Sequence, residues 1–238
     1  LKAVILAGGF GKRLRPYTSE KPKPLVEVAG KPILVWQIEW LKKYGFNEIV
    51  LLVGYLREKI IDYIGSGSRL GVRATYIVED EPLGTGGALK NAEPVLRNEE
   101  FFIAMNGDII TNLNPMRLVE RLQEKREAVT IATVPLKSPY GVLEIDSEGR
   151  IQSFREKPVL TEYWINAGIY AMTPKVFDYL PVKGDIERTA FPKLASENLL
   201  GAVRYEDVFW KSIDTYKDVE EAARELTMLA ERPVASIS

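Results

Sequence analysis

The run Glu48-Ile49-Val50-Leu51-Leu52-Val53 is apolar at every position after the first. It has no polar side to offer solvent, so it predicts a strand in a parallel sheet whose two faces are both covered. A similar run, Lys2-Ala3-Val4-Ile5-Leu6, opens the chain. Between them Pro32-Ile33-Leu34 starts a helix in which Ile38 and Leu41 recur at helical spacing, and Gly45 stops it. The alternation continues. A helix is predicted near Arg57 to Ile64, a strand near Val72 to Val78, a helix from about Gly86 to Asn91, and a strand over Phe101 to Met105. A helix over Pro115 to Lys125 and a strand over Ala128 to Val134 follow. Strands alternating with helices imply an α/β fold: a doubly wound, Rossmann-like, mixed but mainly parallel sheet flanked by helices. Such sheets gather ligands at the carboxyl ends of their strands, where Gly8 and Asp108 both fall.

From about Pro135 the rhythm changes. Val142 to Ile151 reads as a hairpin turning at Ser147 to Gly149. Tyr163 to Met172 adds a strand, Pro174 to Leu180 a short helix and Ile186 to Leu199 a longer one. The chain then closes on a last helix past Arg224 and the tail Arg232-Pro233-Val234. We expect one domain over 1–238, with halves of about 1–134 and about 135–238, the second containing an inserted smaller β-rich part.

The 238 residues carry a formal net charge of −1 and contain neither Cys nor His. That balance gives no electrostatic case for nucleic acid or an anionic membrane. No apolar run is long enough to span a bilayer and no leader precedes the first strand, so a cytoplasmic protein is expected. Disulfides, zinc-thiolate sites, thiol nucleophiles and histidine acid-base chemistry are excluded by composition.

The first strand breaks into Ala7-Gly8-Gly9-Phe10-Gly11-Lys12-Arg13-Leu14-Arg15-Pro16, with Lys21-Pro22-Lys23-Pro24-Leu25 close behind. Glycines let backbone N–H groups approach a polyphosphate, and Arg13 and Lys23 put charge beside it. A tight turn with solvated basic residues is the other reading of these residues. A Walker loop fails, because Gly11-Lys12 is followed by Arg13 where Ser or Thr is needed. A dinucleotide fingerprint fails too, for Leu14 follows where its third glycine would stand.

The set Gly8-Gly9-x-Gly11-x-Arg13-Leu14-x-Pro16-x-Thr18 with Lys23-Pro24-Leu25 resembles the signature of the sugar-1-phosphate nucleotidylyltransferases. The later segments Pro82 to Ala88, Asn106-Gly107-Asp108, Tyr140-Gly141-Val142, Glu156-Lys157-Pro158 and Asn166 to Tyr170 are similar to that family's motifs in the same order. The resemblance implies a reaction in which a sugar-1-phosphate oxygen attacks the α-phosphorus of an NTP and pyrophosphate leaves. Arg13 and Lys23 are then expected on the leaving pyrophosphate, Asp108 on Mg²⁺, and Lys157 on the acceptor phosphate. Leu6, Gly8, Gly9, Gly11, Glu79 and Gly84 would line the nucleotide site. Gly141, Glu156 and Asn166 would line the sugar pocket in the β-rich part. The C-terminal β-helix that many members carry is not expected here.

The chain departs from the family at Trp210-Lys211-Ser212-Ile213-Asp214-Thr215. Aligned without gaps, Ser212 takes the position of the usual second metal-binding Asp, and Asp214 lies two residues on. Residues two apart on an extended chain share a face, so Asp214 is the candidate replacement ligand. Ser212 also motivates a second expectation, a catalytically lapsed regulatory subunit that only binds nucleotide sugars. In detail the motifs look more like the mannose-1-phosphate guanylyltransferases, with uridylyl, thymidylyl or cytidylyl transfer to glucose-1-phosphate as alternatives. Expected partners are an NTP and a sugar-1-phosphate, with no nucleic acid and no membrane. A homo-oligomer is left open.

Overall fold

The computed structural model describes residues 1–231; the tail Arg232-Pro233-Val234 lies outside the described residues. In chain order the elements begin with β1 (Lys2–Leu6), α1 (Tyr17–Glu20), β2 (Glu27–Val28), β3 (Lys31–Pro32), α2 (Ile33–Lys43) and β4 (Glu48–Val53). Next come α3 (Arg57–Ile64), β5 (Arg73–Val78), α4 (Gly84–Asn91), α5 (Glu93–Leu96), β6 (Phe102–Asn106), β7 (Ile109–Thr111) and α6 (Met116–Lys125). The second half carries β8 (Val129–Lys137), β9 (Val142–Ile145), β10 (Ile151–Arg155), β11 (Val159–Met172), α7 (Ala190–Ser196), β12 (Leu200–Arg204), β13 (Trp210–Ser212) and α8 (Tyr216–Glu231).

Seven strands form one sheet in the order β12-β8-β11-β6-β1-β4-β5. All neighbours are parallel except β11, which runs antiparallel to both β6 and β8. The expected mixed, mainly parallel sheet is therefore present. Its central strands are buried on both faces, as their continuous apolar runs require. Ala3, Ile5, Ile49 and Leu51 pack with Leu34, Ile38 and Leu41 of α2 on one side. Val4, Val50 and Leu52 pack with Leu89 of α4 on the other. Each fully buried Ile or Leu contributes roughly 1.5–3 kcal/mol. A third cluster, with Val28, Ile33, Ile110 and Ile213, seats α8 through Ala222.

Register fixes where the loops meet. Leu6 lies opposite Leu52 of β4 and Asn106 of β6, so the glycine loop, Gly54 and Gly107-Asp108 leave the sheet side by side. The hairpin expected from Val142 to Ile151 is β9 and β10, a two-stranded sheet of its own.

In the second half one expectation is adjusted and one unexpected strand is added. The helix anticipated over Ile186 to Leu199 is only Ala190–Ser196. The residues before it are taken elsewhere, since the Ile186 N–H donates to Thr85 Oγ1 at 2.9 Å instead of entering a helix. Beyond it, β12 forms the sheet edge against β8, a strand whose short Leu-Gly-Ala-Val-Arg text carries no alternation.

Candidate active site

Asp108 follows β6 and Asp214 follows β13, and the two are brought together by backbone pairing. Ser212 lies opposite Ile109 in the β7–β13 ladder, and the Ile213 N–H donates to the Asp108 carbonyl at 2.8 Å. The turn that carries Asp108 is tied down further. The Gly107 N–H donates to the Leu6 carbonyl at 3.0 Å, and a Cβ at Gly107 would run into that same carbonyl oxygen. Below the turn, the buried Gln37 Nε2 donates to the Asn106 carbonyl at 2.8 Å and to the Ile109 carbonyl at 2.9 Å. Sequence reading missed Gln37. Its signal was a polar residue inside the apolar stripe of α2.

Lys23 sits between the two carboxylates. Its Nζ is 2.7 Å from Asp108 Oδ2 and 2.8 Å from Asp214 Oδ1, with the side chain only 13% exposed. Arg13 reaches the same Asp214 oxygen at 2.9 Å from a largely exposed position. Burial opposes the ionised form of Asp214, but the Lys23 hydrogen bond and the charges of Lys23 and Arg13 outweigh it. The net result holds the Asp214 carboxyl below the usual carboxylate range. Ser212 Oγ adds a hydrogen bond to Asp214 Oδ2 at 3.3 Å. Arg13, Lys23, Asp108 and Asp214 line a cavity of about 210 Å³ together with Leu6, Gly9, Gly11 and Lys12.

A second cavity of about 310 Å³ shares Leu6, Gly9 and Asp108 with the first and adds Gly8, Glu79, Gly84 and Asn106. The Glu79 carboxylate lies against Gly8, where a Cβ would collide with Oε1, and Oε2 accepts the Leu83 N–H at 3.3 Å. Burial pushes the Glu79 carboxyl up, and the Leu83 bond offsets only part of that shift. The far wall comes from the second half of the chain. The Gly184 carbonyl accepts the N–H groups of Gly86 at 2.9 Å and Gly87 at 3.1 Å, capping the first turn of α4. Thr85 Oγ1 in turn donates to Glu187 Oε2 at 2.7 Å. No local pattern announced this strap.

The residues expected around the sugar are placed differently. Asn166 Nδ2 donates to Tyr170 Oη at 3.0 Å and its Oδ1 accepts the Gly168 N–H at 2.8 Å. Gly168 in turn lies directly against the Asn106 side chain of the second cavity. Gly141, Glu156 and Lys157 line neither cavity. They cluster at the base of the β9–β10 hairpin, with Gly141 against Phe154 and Glu156. Lys157 is 53% exposed, and its Nζ lies 3.7 Å from Glu156.

Among the described residues no cluster of three Asp, Glu, His or Cys side chains could hold a metal. The acidic pair would need ligands from outside the protein. No described helix is long and apolar enough to cross a membrane.

The chain is 38% identical over 226 residues to the mannose-1-phosphate guanylyltransferase catalytic subunit beta of Xenopus tropicalis, an alignment covering 92% of this chain and 62% of that one. It thus spans about three fifths of the length of the curated relatives it matches. Among solved structures it is similar to HddC from Yersinia pseudotuberculosis, with a TM-score of 0.75 and 31% identity over 94% of this chain and 99% of that one. A putative glucose-1-phosphate thymidylyltransferase from Bacillus anthracis, solved with sucrose, gives a TM-score of 0.76 at 25% identity, covering 94% of each chain. The Nucleotidyl transferase family matches residues 2–228. With the glycine loop, the Lys23–Asp108–Asp214 cluster and the sheet that joins them, this chain belongs to the Nucleotidyl transferase family.

Proposed function

We propose that the chain transfers a nucleotidyl group from a nucleoside triphosphate to a sugar-1-phosphate in the cytoplasm, with GTP and mannose-1-phosphate as the pairing. The observation that carries this reading is the Lys23–Asp108–Asp214 cluster beside the glycine loop. A sugar-phosphate oxygen attacks the α-phosphorus, and the bond to the β-phosphate breaks with its electron pair leaving on pyrophosphate. Such a step needs alignment and charge neutralisation more than a covalent intermediate, which suits a chain without Cys or His. Arg13 offers a planar fork and Lys23 a mobile point charge to the departing pyrophosphate.

Two carboxylates on separately anchored segments, with no third acid, fit a Mg²⁺ that takes its other ligands from phosphate oxygens and water. Asp108 and Asp214 would hold the ion, which would draw charge off the phosphate oxygens as the bond breaks. Ser212 was the ground for a lapsed regulatory subunit. Against that reading, Asp214 shares an ammonium with Asp108, which supports Asp214 as the replacement for the carboxylate missing at that position.

Glu79 favours guanine. An ionised carboxylate only accepts hydrogen bonds, and guanine presents two adjacent N–H donors on one edge, whereas uracil and thymine present one between two carbonyls. Such a donor pair would compensate a carboxylate that burial disfavours. Mannose is supported by the names of the curated relatives. Asn166, Glu156, Gly141 and Lys157 are assigned to the sugar phosphate.

The test is pyrophosphate release with Mg²⁺ across GTP, UTP, CTP, ATP and dTTP against mannose-, glucose- and N-acetylglucosamine-1-phosphate. Release is expected with GTP and mannose-1-phosphate, and a silent matrix overturns the reading. Glu79→Gln should lower kcat/KM for GTP by about 10–100-fold and raise relative use of UTP or dTTP.

A further inference from the structure

We propose that Lys23 is the resident cation of the acidic pair: its ammonium fills the gap between Asp108 and Asp214, so a divalent ion binds tightly only together with a polyphosphate that draws Lys23 away. This rests on the proposed function insofar as the pair is taken to be the cation site.

Three observations carry it. Lys23 Nζ contacts both carboxylates at once, 2.7 Å from Asp108 and 2.8 Å from Asp214, with the side chain mostly buried. Arg13 cannot take this role, because it reaches Asp214 alone and from solvent. The backbones that carry the two carboxylates cannot move apart independently, since the β7–β13 ladder and the Ile213-to-Asp108 backbone bond tie the segments together. An ion bridging these two oxygens would therefore occupy the space of the ammonium, and two cations cannot share it.

The lysine has somewhere to go. Its Cβ lies against Gly11 of the glycine loop, and the cavity it lines with Asp108 and Asp214 is also lined by Lys12 and Arg13, so rotation of the flexible stem can turn the ammonium from the carboxylates toward that side of the cavity. That cavity is where a polyphosphate would meet it. Without ligand, the single charge of Lys23 is shared between two facing carboxylates, with Arg13 adding a second positive charge at Asp214. With ligand, phosphate oxygens would replace the carboxylates as partners of Lys23, leaving Asp108 and Asp214 to hold the divalent ion. Ion and nucleotide binding are thereby coupled through one side chain.

The test is Mn²⁺ binding to the full chain without nucleotide, read from the free-ion electron paramagnetic resonance signal. Wild type is expected to bind weakly and Lys23→Met at least tenfold more tightly, with Lys23→Met/Asp214→Asn losing the gain. Equal affinity in wild type and Lys23→Met overturns the proposal. If Lys23→Met does not fold, acylation of Lys23 in wild type, read by mass spectrometry, decides. It should rise as Mn²⁺ fills the site, and unchanged acylation overturns the proposal. Nucleotide-sugar synthesis by wild type with no gain in Lys23→Met sinks the resident-cation role and leaves the transferase intact. A gain in ion binding with a silent substrate matrix does the reverse.

Discussion

At the glycine-loop end of the site, Lys23 Nζ lies within 2.8 Å of both Asp108 and Asp214, whose two segments are joined by a strand ladder. At the hairpin end, Lys157 is more than half exposed, and its described ionic partner is the adjacent Glu156 at 3.7 Å. Ile145 and Ile151 pair across β9 and β10 with both side chains exposed. A lone two-stranded hairpin has little stability of its own. Under the proposed function one end is preorganised before substrate arrives, whereas the other would be positioned by the ligand it binds. Substitutions at the first end should damage the rate or the fold, and those at the second should mainly alter substrate affinity.

The sharpest test of that contrast is Asp108→Asn, expected to lower kcat by on the order of 10²–10³-fold. Its circular dichroism should be unchanged, because the side chain is partly exposed and the turn is held by backbone bonds. Near-normal turnover would break the comparison at its stronger end. Gly107→Ala comes next, with a loss of about 2–4 kcal/mol in urea unfolding, since the added Cβ meets the Leu6 backbone rather than a yielding side chain. A stability equal to wild type would show that the turn is not rigid.

Lys157→Ala should raise KM for the sugar phosphate about tenfold while kcat for bound substrate changes little. A loss confined to kcat would mean that the hairpin end is as preorganised as the other. The smallest effect is expected from Ile151→Ser, within about 0.5 kcal/mol of wild type, because this side chain is 60% exposed. A larger loss would show that the hairpin face is covered in solution.

The elements of the first half were legible because their signals are local. Glu48–Val53 is a strand with the bounds its apolar run defines, and Arg57–Ile64 is a helix with the bounds its spacing defines. The second half was harder to read. The residues from Asp185 to Thr189 look helical by composition, yet they spend their hydrogen bonds on the first turn of α4 and on one another. Within the candidate site, the glycine loop, Lys23, Glu79 and Asp108 stood out as residues with a chemical reason to be there. Gln37 did not, because a buried amide betrays its role only through the carbonyls it reaches.

The sequence by itself determined the alternating architecture, the strand-to-glycine-loop junction and a chemistry without thiol or imidazole. Periodicity, glycine and composition act over a few residues and need no partner far along the chain. It took the three-dimensional arrangement to show that Asp214 comes to lie beside Asp108 with Lys23 between them. The same holds for Gly184, whose carbonyl caps the first turn of α4 beside the second cavity. Each of these rests on contacts between segments 85 to 191 residues apart or on backbone bonds across roughly a hundred residues. Closing such a loop is repaid by the whole sheet and core, so no local pattern records it.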